Sequence, residues 1–479
     1  MANGTRQIDL SLILMLVGIL LIGCVVGFAT TKTVPILVLG VTLGLVIFIV
    51  SFVWPPIALY LLVFSMLLSP EFGQRDTQGK GFTIRIDDML LVVLSLSWFI
   101  RSAIKKEYGL FPKTPLNRGI IAYTLVCFFS TIMGGIYGKI NVVGLFFVLK
   151  YFEYFVVFFM AVNFVTTREQ VKIFVILLLV TCAITAFIGF MQIPAGKRVT
   201  APFEGASGEP GTFGGYLIMM MSVSIGLFLT SENRRAKMLL AGLIALSLVV
   251  IMATESRAAW MGLPFMYLVF LVLNKRKLLL IGAIVVILAV SPFLLPKNVK
   301  ERFSGTFKTE RGYQAKVGGT DIALDSSATL RVLSWQGVIR DLKYHPIFGY
   351  GITGYWFIDA QYFRTLIELG ILGFSIFMYL MYSIFKFILD THRNTNDSYV
   401  KGLSMGVLAG FVSLLLHSIG SNTFIIVRIM EPFWFLMGLL VVLNHLDKDE
   451  QKKLKNESSN IQEKAPYMLH GPEKVPQRV

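Results

Sequence analysis

Charge is scarce in this chain. Only 15% of its 479 residues are Asp, Glu, Lys or Arg, against 55% hydrophobic residues and a mean hydropathy of +0.71. Soluble domains carry about a quarter charged residues, so an ordinary soluble protein is excluded. Cysteine is scarce too. Cys24, Cys127 and Cys182 lie inside apolar runs, odd in number and without CxxC spacing, which leaves no basis for a disulfide framework or a zinc site. No Walker phosphate loop or HExxH helix occurs, so nucleotide and zinc-protease readings lack support, and neither a metal nor a cofactor is expected. What the chain has is apolar length: many runs approach the roughly 20 residues that cross a bilayer as a helix. The fold class this implies is all-α, a polytopic transmembrane helix bundle of about 12–14 spans embedded in a lipid bilayer.

The net charge of +16 has a matching explanation. The basic residues sit mostly in short loops between apolar runs, as the positive-inside rule requires, and no nucleic-acid-binding pattern accompanies them. Spans are predicted at roughly 9–28, 33–53, 56–69, 88–104, 118–136, 143–163, 170–192, 210–230, 237–253, 257–273, 278–295, 361–389, 400–419 and 424–445. The first is read as a membrane helix rather than a cleaved signal. With fourteen spans and a cytoplasmic N-terminus, four basic loops fall on the cytoplasmic side. They are marked by Arg101 to Arg118, by Arg234, Arg235 and Lys237, by Lys275, Arg276 and Lys277, and by Lys386, Arg393 and Lys401. The chain then divides into helices and short loops over 1–295, a large outer loop over 296–360, three final spans over 361–445 and a charged cytoplasmic tail over 446–479, disordered at its end.

Three segments leave the membrane pattern on the outer side: 70–87, 193–210 and 296–360. Within the largest, "SSATLRVLSWQGVIRDLK" (326–343) has an apolar side of Leu330, Leu333, Trp335, Val338, Ile339 and Leu342 and reads as an amphipathic helix. Pro346 helps to stop it, and the glycine-punctuated "HPIFGYGITGYW" (345–356) follows. Arg198, Arg257, Arg331, Arg364 and Arg428 all fall in or beside outer segments. A lone arginine near a span end is often a snorkelling anchor. Five on the side where the positive-inside rule disfavours them suit a phosphate-bearing ligand, which the planar guanidinium binds through two oxygens.

The acids of this side are Glu209, Glu255 and Asp359, any of which could serve an acceptor hydroxyl as general base. For Glu255, an ion pair with a nearby arginine is the simpler reading. Asp87 and Asp88 fit a helix N-terminal cap better than an acidic metal motif. His345, preceding a proline, fits a structural turn better than a base. His417 and Glu431 either line a polar cavity or pair with each other or with Arg428.

Four stretches carry a family likeness. They are "RVTAPFEGASGEPGTFGGYL" (198–217), "ATESRAAWMG" (253–262), "LRVLSWQGVIRDLKYHPIFGYG" (330–351) and "DAQYFRTLIELGILG" (359–373). In this order and topology the chain, over roughly 190–440, resembles the bacterial O-antigen ligase/polymerase superfamily of integral membrane proteins. The resemblance implies a metal-independent glycosyltransferase at the outer face of the bacterial inner membrane. Its donor would be an undecaprenyl-diphosphate-linked oligosaccharide, with a chain-length regulator as a possible partner. Arg257 and Arg331 match the family's diphosphate-associated arginines, and Arg198 matches a third. Ligases of the family carry a His where this chain has Asp359, so the resemblance points to the polymerase branch, with a ligase or a lipid-linked oligosaccharide flippase as alternatives. Catalytic roles are therefore expected for Asp359, Arg257 and Arg331, and substrate contacts for Arg198, Glu209, Glu255, His345 and Arg428.

Overall fold

The computed structural model describes residues 35–72, 84–104, 111–140, 143–204, 208–274, 277, 281–282, 315–317, 320–322 and 326–468. It is a helical bundle, interrupted among these residues by two short antiparallel ladders, β1 (Glu71–Phe72) with β2 (Ile84–Arg85) and β3 (Ala315–Val317) with β4 (Thr320–Ile322). The helices are α1 (Pro35–Val53), α2 (Pro55–Leu68), α3 (Ile86–Ile104), α4 (Asn117–Ile136), α5 (Val143–Phe164), α6 (Arg168–Gln192), α7 (Pro210–Thr230), α8 (Arg234–Ala253), α9 (Arg257–Leu273), α10 (Ser326–Asp341), α11 (Gln361–Asn394), α12 (Ser398–His417) and α13 (Val427–Met468). Each of these except α10 falls on an expected span. The expected spans 9–28 and 278–295 lie largely or wholly outside the described residues. Eight of the described helices are long and apolar enough to cross a membrane, which makes this a multi-pass membrane protein.

Local chemistry explains the helix starts. Thr167 and Gln170 form a reciprocal capping box at α6, and the Asn233 and Asp397 side chains accept the first free N–H groups of α8 and α12. The three starts share one end of the bundle. There Arg168 ties α6 to Asp397 at 3.0 Å, and to Asp447 and Glu450 on α13. The tail expected after the last span continues as helix to Met468, because its Lys-, Glu- and Gln-rich sequence favours helix without an apolar face.

The centre is α7, α12 and α13, all mostly buried. α7 and α12 meet backbone to backbone. A Cβ on Gly226 would collide with the Gly402 carbonyl, one on Gly406 would lie 2.7 Å from the Ser222 oxygen, and one on Gly410 3.3 Å from the Met219 Cα. Such stripes of small residues allow close helix association where lipid supplies no hydrophobic drive. At the end of the bundle opposite Arg168 the chain turns between α8 and α9, enters α11 and passes from α12 to α13. The candidate residues collect at that end.

Candidate functional site

The α8–α9 connection is three residues, Thr254, Glu255 and Ser256. Thr254 Oγ1 donates to the Ile251 carbonyl at 2.7 Å and accepts from Ser256 N at 3.3 Å. Ser256 Oγ caps α9 by accepting from Ala259 N. Glu255 takes a left-handed φ of 50°, a conformation that non-glycine residues hold only when their surroundings enforce it. Arg198 ties this turn: its Nε donates to the Thr254 carbonyl at 3.1 Å and its terminal nitrogen to that of Glu255 at 3.3 Å. Arg198 thus braces the turn from which Arg257 emerges as the first residue of α9.

The second arginine site is built on α10. Arg331, Trp335, Val338 and Leu342 recur at helical spacing on one face. Trp335 stacks flat on Phe363 with centroids 4.8 Å apart, and Val338 is fully buried. The same face carries the Arg331 guanidinium to Asp359, 2.9 Å away, just ahead of α11. Both side chains remain about a third exposed, so the pair is open to a ligand.

One turn joins the two sites. Asn422 Nδ2 donates to the Ile358 carbonyl at 2.7 Å, and Gln361 N donates to the Ser418 carbonyl at 3.0 Å. On the other flank, a Cβ on Gly420 would lie 3.6 Å from the Ala258 Cβ, and one on Gly211 would touch both Ser256 Oγ and Ser421 Oγ. Immediate neighbours of Arg257 and of Asp359 therefore border the same 418–422 turn. His417 fixes that turn: Nδ1 meets Thr423 Oγ1 at 2.7 Å and Nε2 meets the Gly211 carbonyl at 3.1 Å. Neither Glu431 nor Arg428 is among these hydrogen-bond partners.

The glycine-rich motifs lock together. α11 breaks at Gly370, with φ 68° and ψ −173°, and the 346–351 segment fills the break. Tyr350 N and Gly351 N donate to the Ile367 and Glu368 carbonyls, and Ile371 N and Leu372 N donate back to Pro346 and Ile347. Gly349, at φ 68°, passes so close that a Cβ would lie 2.5 Å from the Glu368 oxygen. Glu368 Oε1 pairs with Arg364 Nε at 3.1 Å and accepts Thr353 N, so this arginine is committed to the lock. Residues 349–354 spell G-x-G-x-x-G, but they form a loop after a 3-10 turn and not a strand-to-helix passage, so no dinucleotide site follows. His345 stacks on Tyr137 at 4.4 Å and meets the edge of Tyr350 at 4.7 Å.

Arg428 is buried. It faces Glu204 at 3.4 Å and donates to the carbonyls of Leu67, Pro202 and Ser69. Glu204 also accepts Glu209 N, and the Glu209 carboxylate takes the Thr212 hydroxyl in the first turn of α7. Asp87 and Asp88 enter a buried ionic cluster with Arg85 at 2.6 and 3.8 Å; Lys150 reaches Asp88 at 2.8 Å, Glu431 lies 3.9 Å from Arg85, and Glu153 stands against Asp88. Asp88 also accepts Arg85 N ahead of α3, a cap-like contact. The roles of Glu204, Lys150 and Glu153 carry no local sequence signal, since Arg428 and Asp88 lie far from them in the chain, whereas Arg85 pairs with the nearby Asp87 and Asp88.

Residues 242–378, which hold the 254–257 turn, α10, the Arg331–Asp359 pair and the Gly370 lock, match the family model described as O-antigen ligase. No curated protein matches the chain. Over residues 242–378, less than a third of its length, the chain is thus similar to the O-antigen ligase family.

Proposed function

We propose that the protein is a membrane glycosyltransferase that polymerises undecaprenyl-diphosphate-linked oligosaccharide repeat units at the outer face of a bacterial inner membrane. Both termini are then cytoplasmic, and the site end of the bundle faces the periplasm or exterior. The observation that carries the reading is the arrangement around the 418–422 turn. Ser256 and Ala258, the chain neighbours of Arg257, border one flank, and Ile358 and Gln361, beside the Asp359 that pairs with Arg331, border the other. Arg257 and Arg331 grip the donor diphosphate. The acceptor oxygen bonds to the anomeric carbon, the bond from that carbon to the diphosphate breaks, and its electron pair leaves on the diphosphate. Preorganised guanidiniums stabilise that developing charge. Asp359 Oδ2 is held by Arg331, and the carboxylate's second oxygen takes the acceptor proton. Asp359 at the position of the ligase His favours polymerase over ligase, and a chain-length regulator would act on the same product.

The test is deletion of the gene in its native host, followed by mass spectrometry of lipid-linked and surface glycans. Single repeat units on the carrier and at the surface are expected. Long chains stranded on the carrier would make it a ligase instead, and units trapped on the cytoplasmic face would make it a flippase.

A further inference from the structure

A second feature lies on the same end of the bundle. The C-terminal end of α10, the 3-10 turn after it and the 353–356 loop enclose an open cleft of about 730 Å³, lined by Lys139, Asp341, Tyr344, His345, Tyr355 and Trp356. Tyr355 packs on Trp356 with centroids 4.2 Å apart, while Tyr344 and Trp356 stay 64% and 53% exposed. The Asp341 carboxylate is fixed in the wall by Arg340 at 2.8 Å and by the Tyr355 hydroxyl, which donates at 2.7 Å. Those two bonds hold Asp341 below the usual carboxylate range, so it faces the cleft as an acceptor. The wall does not favour a cation, because Lys139 stands in it, nor an anion, because Asp341 does. Flat aromatic surface with one fixed acceptor and one donor suits a ring with apolar C–H faces and a hydroxyl rim, which is a pyranose.

The cleft also stands at a useful distance. Asp341 follows Arg331 by ten residues of helix, about 15 Å. Trp356 precedes Asp359 by three residues, at most about 10 Å. We propose that this cleft is a glycan subsite, which holds the sugar chain a few units away from the Arg331–Asp359 pair where the new bond is made. The proposal rests on the glycosyltransferase reading for its purpose, though not for its geometry.

The experiment uses the full-length protein in lipid nanodiscs. The probe is the free oligosaccharide released by mild acid from the host's own surface glycan, carrying neither lipid nor diphosphate, with binding followed by saturation-transfer NMR and titration calorimetry. Saturable binding is expected, weakened at least tenfold in Tyr344→Ala and Trp356→Ala, mostly kept in Trp356→Phe and unchanged in Arg257→Ala. Absence of saturable binding to the wild type, or unaltered binding in both alanine variants, overturns the proposal. Tyr344→Ala removes an exposed ring and decides the matter if Trp356→Ala does not fold. Polymer made by Arg257→Ala and Arg331→Ala would sink the diphosphate-grip reading and leave the cleft standing. Inactive arginine variants with no oligosaccharide binding would do the reverse.

Discussion

Replacing Arg428 by Ala tests how the site end of the bundle is held. The Arg428 and Glu204 side chains retain only 3% and 2% of their exposure, 3.4 Å apart. Truncating Arg428 removes the guanidinium that faces a buried carboxylate, which also accepts Glu209 N. Breaking a buried pair in this way costs about 3–5 kcal/mol. The carbonyls of Leu67, Pro202 and Ser69 lose a donor as well, but their contacts of 3.3, 3.2 and 3.5 Å are long and add little. The double variant Arg428→Met with Glu204→Gln removes both charges at similar volume and is expected to recover most of the loss. Reversible unfolding in mixed micelles titrated with dodecyl sulfate, followed by tryptophan fluorescence, measures each free energy. A single variant within about 1 kcal/mol of wild type, or a double variant less stable than the single, would refute the reasoning.

Arg257→Ala and Arg331→Ala are expected to abolish polymer while folded protein stays in the membrane, and lysine at either position is expected to restore little, because the planar fork is lost; glycan profiling of the complemented deletion strain reads both. Arg198→Ala removes two bonds to the 254–255 carbonyls and is expected to lower turnover about 10- to 100-fold through misplacement of Arg257, on a scale of roughly 1–3 kcal/mol, in the same strain and in purified enzyme. Gly370→Ala, at φ 68°, is expected to cost at least about 1–2 kcal/mol from handedness alone, seen as a lower melting temperature, with more added by collision with the Ile347 carbonyl. In the buried cluster, Glu431→Gln is expected to hold or raise the melting temperature, since among the described residues four carboxylates there face two cations, Arg85 and Lys150, whereas Arg85→Ala is expected to lower it sharply.

The helices could be read in advance because each is an apolar run closed by charge or by proline and glycine. The runs at 210–230 and 257–273 coincide with α7 and α9 to the residue. The helix expected at 326–343 forms, but of its expected apolar side Trp335 and Val338 pack inward, Trp335 on Phe363, whereas Leu330, Leu333 and Ile339 are exposed. Pairings across distance were not legible. Arg198 offers a guanidinium to the 254–255 carbonyls, and no local pattern marks a side chain destined for a backbone 56 residues away. The partner of Arg428 is Glu204, and neither His417 nor Glu431 hydrogen-bonds it. The glycines of 345–351 and 368–373 were visible as two motifs, yet only the break at Gly370 reveals that one is the mould for the other.

The seam between α7 and α12 has an evolutionary arithmetic of its own. Gly226, Gly402, Gly406 and Gly410 already carry the smallest side chain that exists. Every mutation at these positions enlarges them, and at Gly226 and Gly406 none can be offset by shrinking the opposite residue, because the opposite surface is main chain; at Gly402 a Cβ would also strike the Thr230 side chain. Ordinary core positions drift by trading volume between neighbours, but this seam has little to trade. A saturation mutagenesis scan should therefore show these four sites as one-way: tolerant of alanine at most where the gap is widest, at Gly410, and closed to everything else.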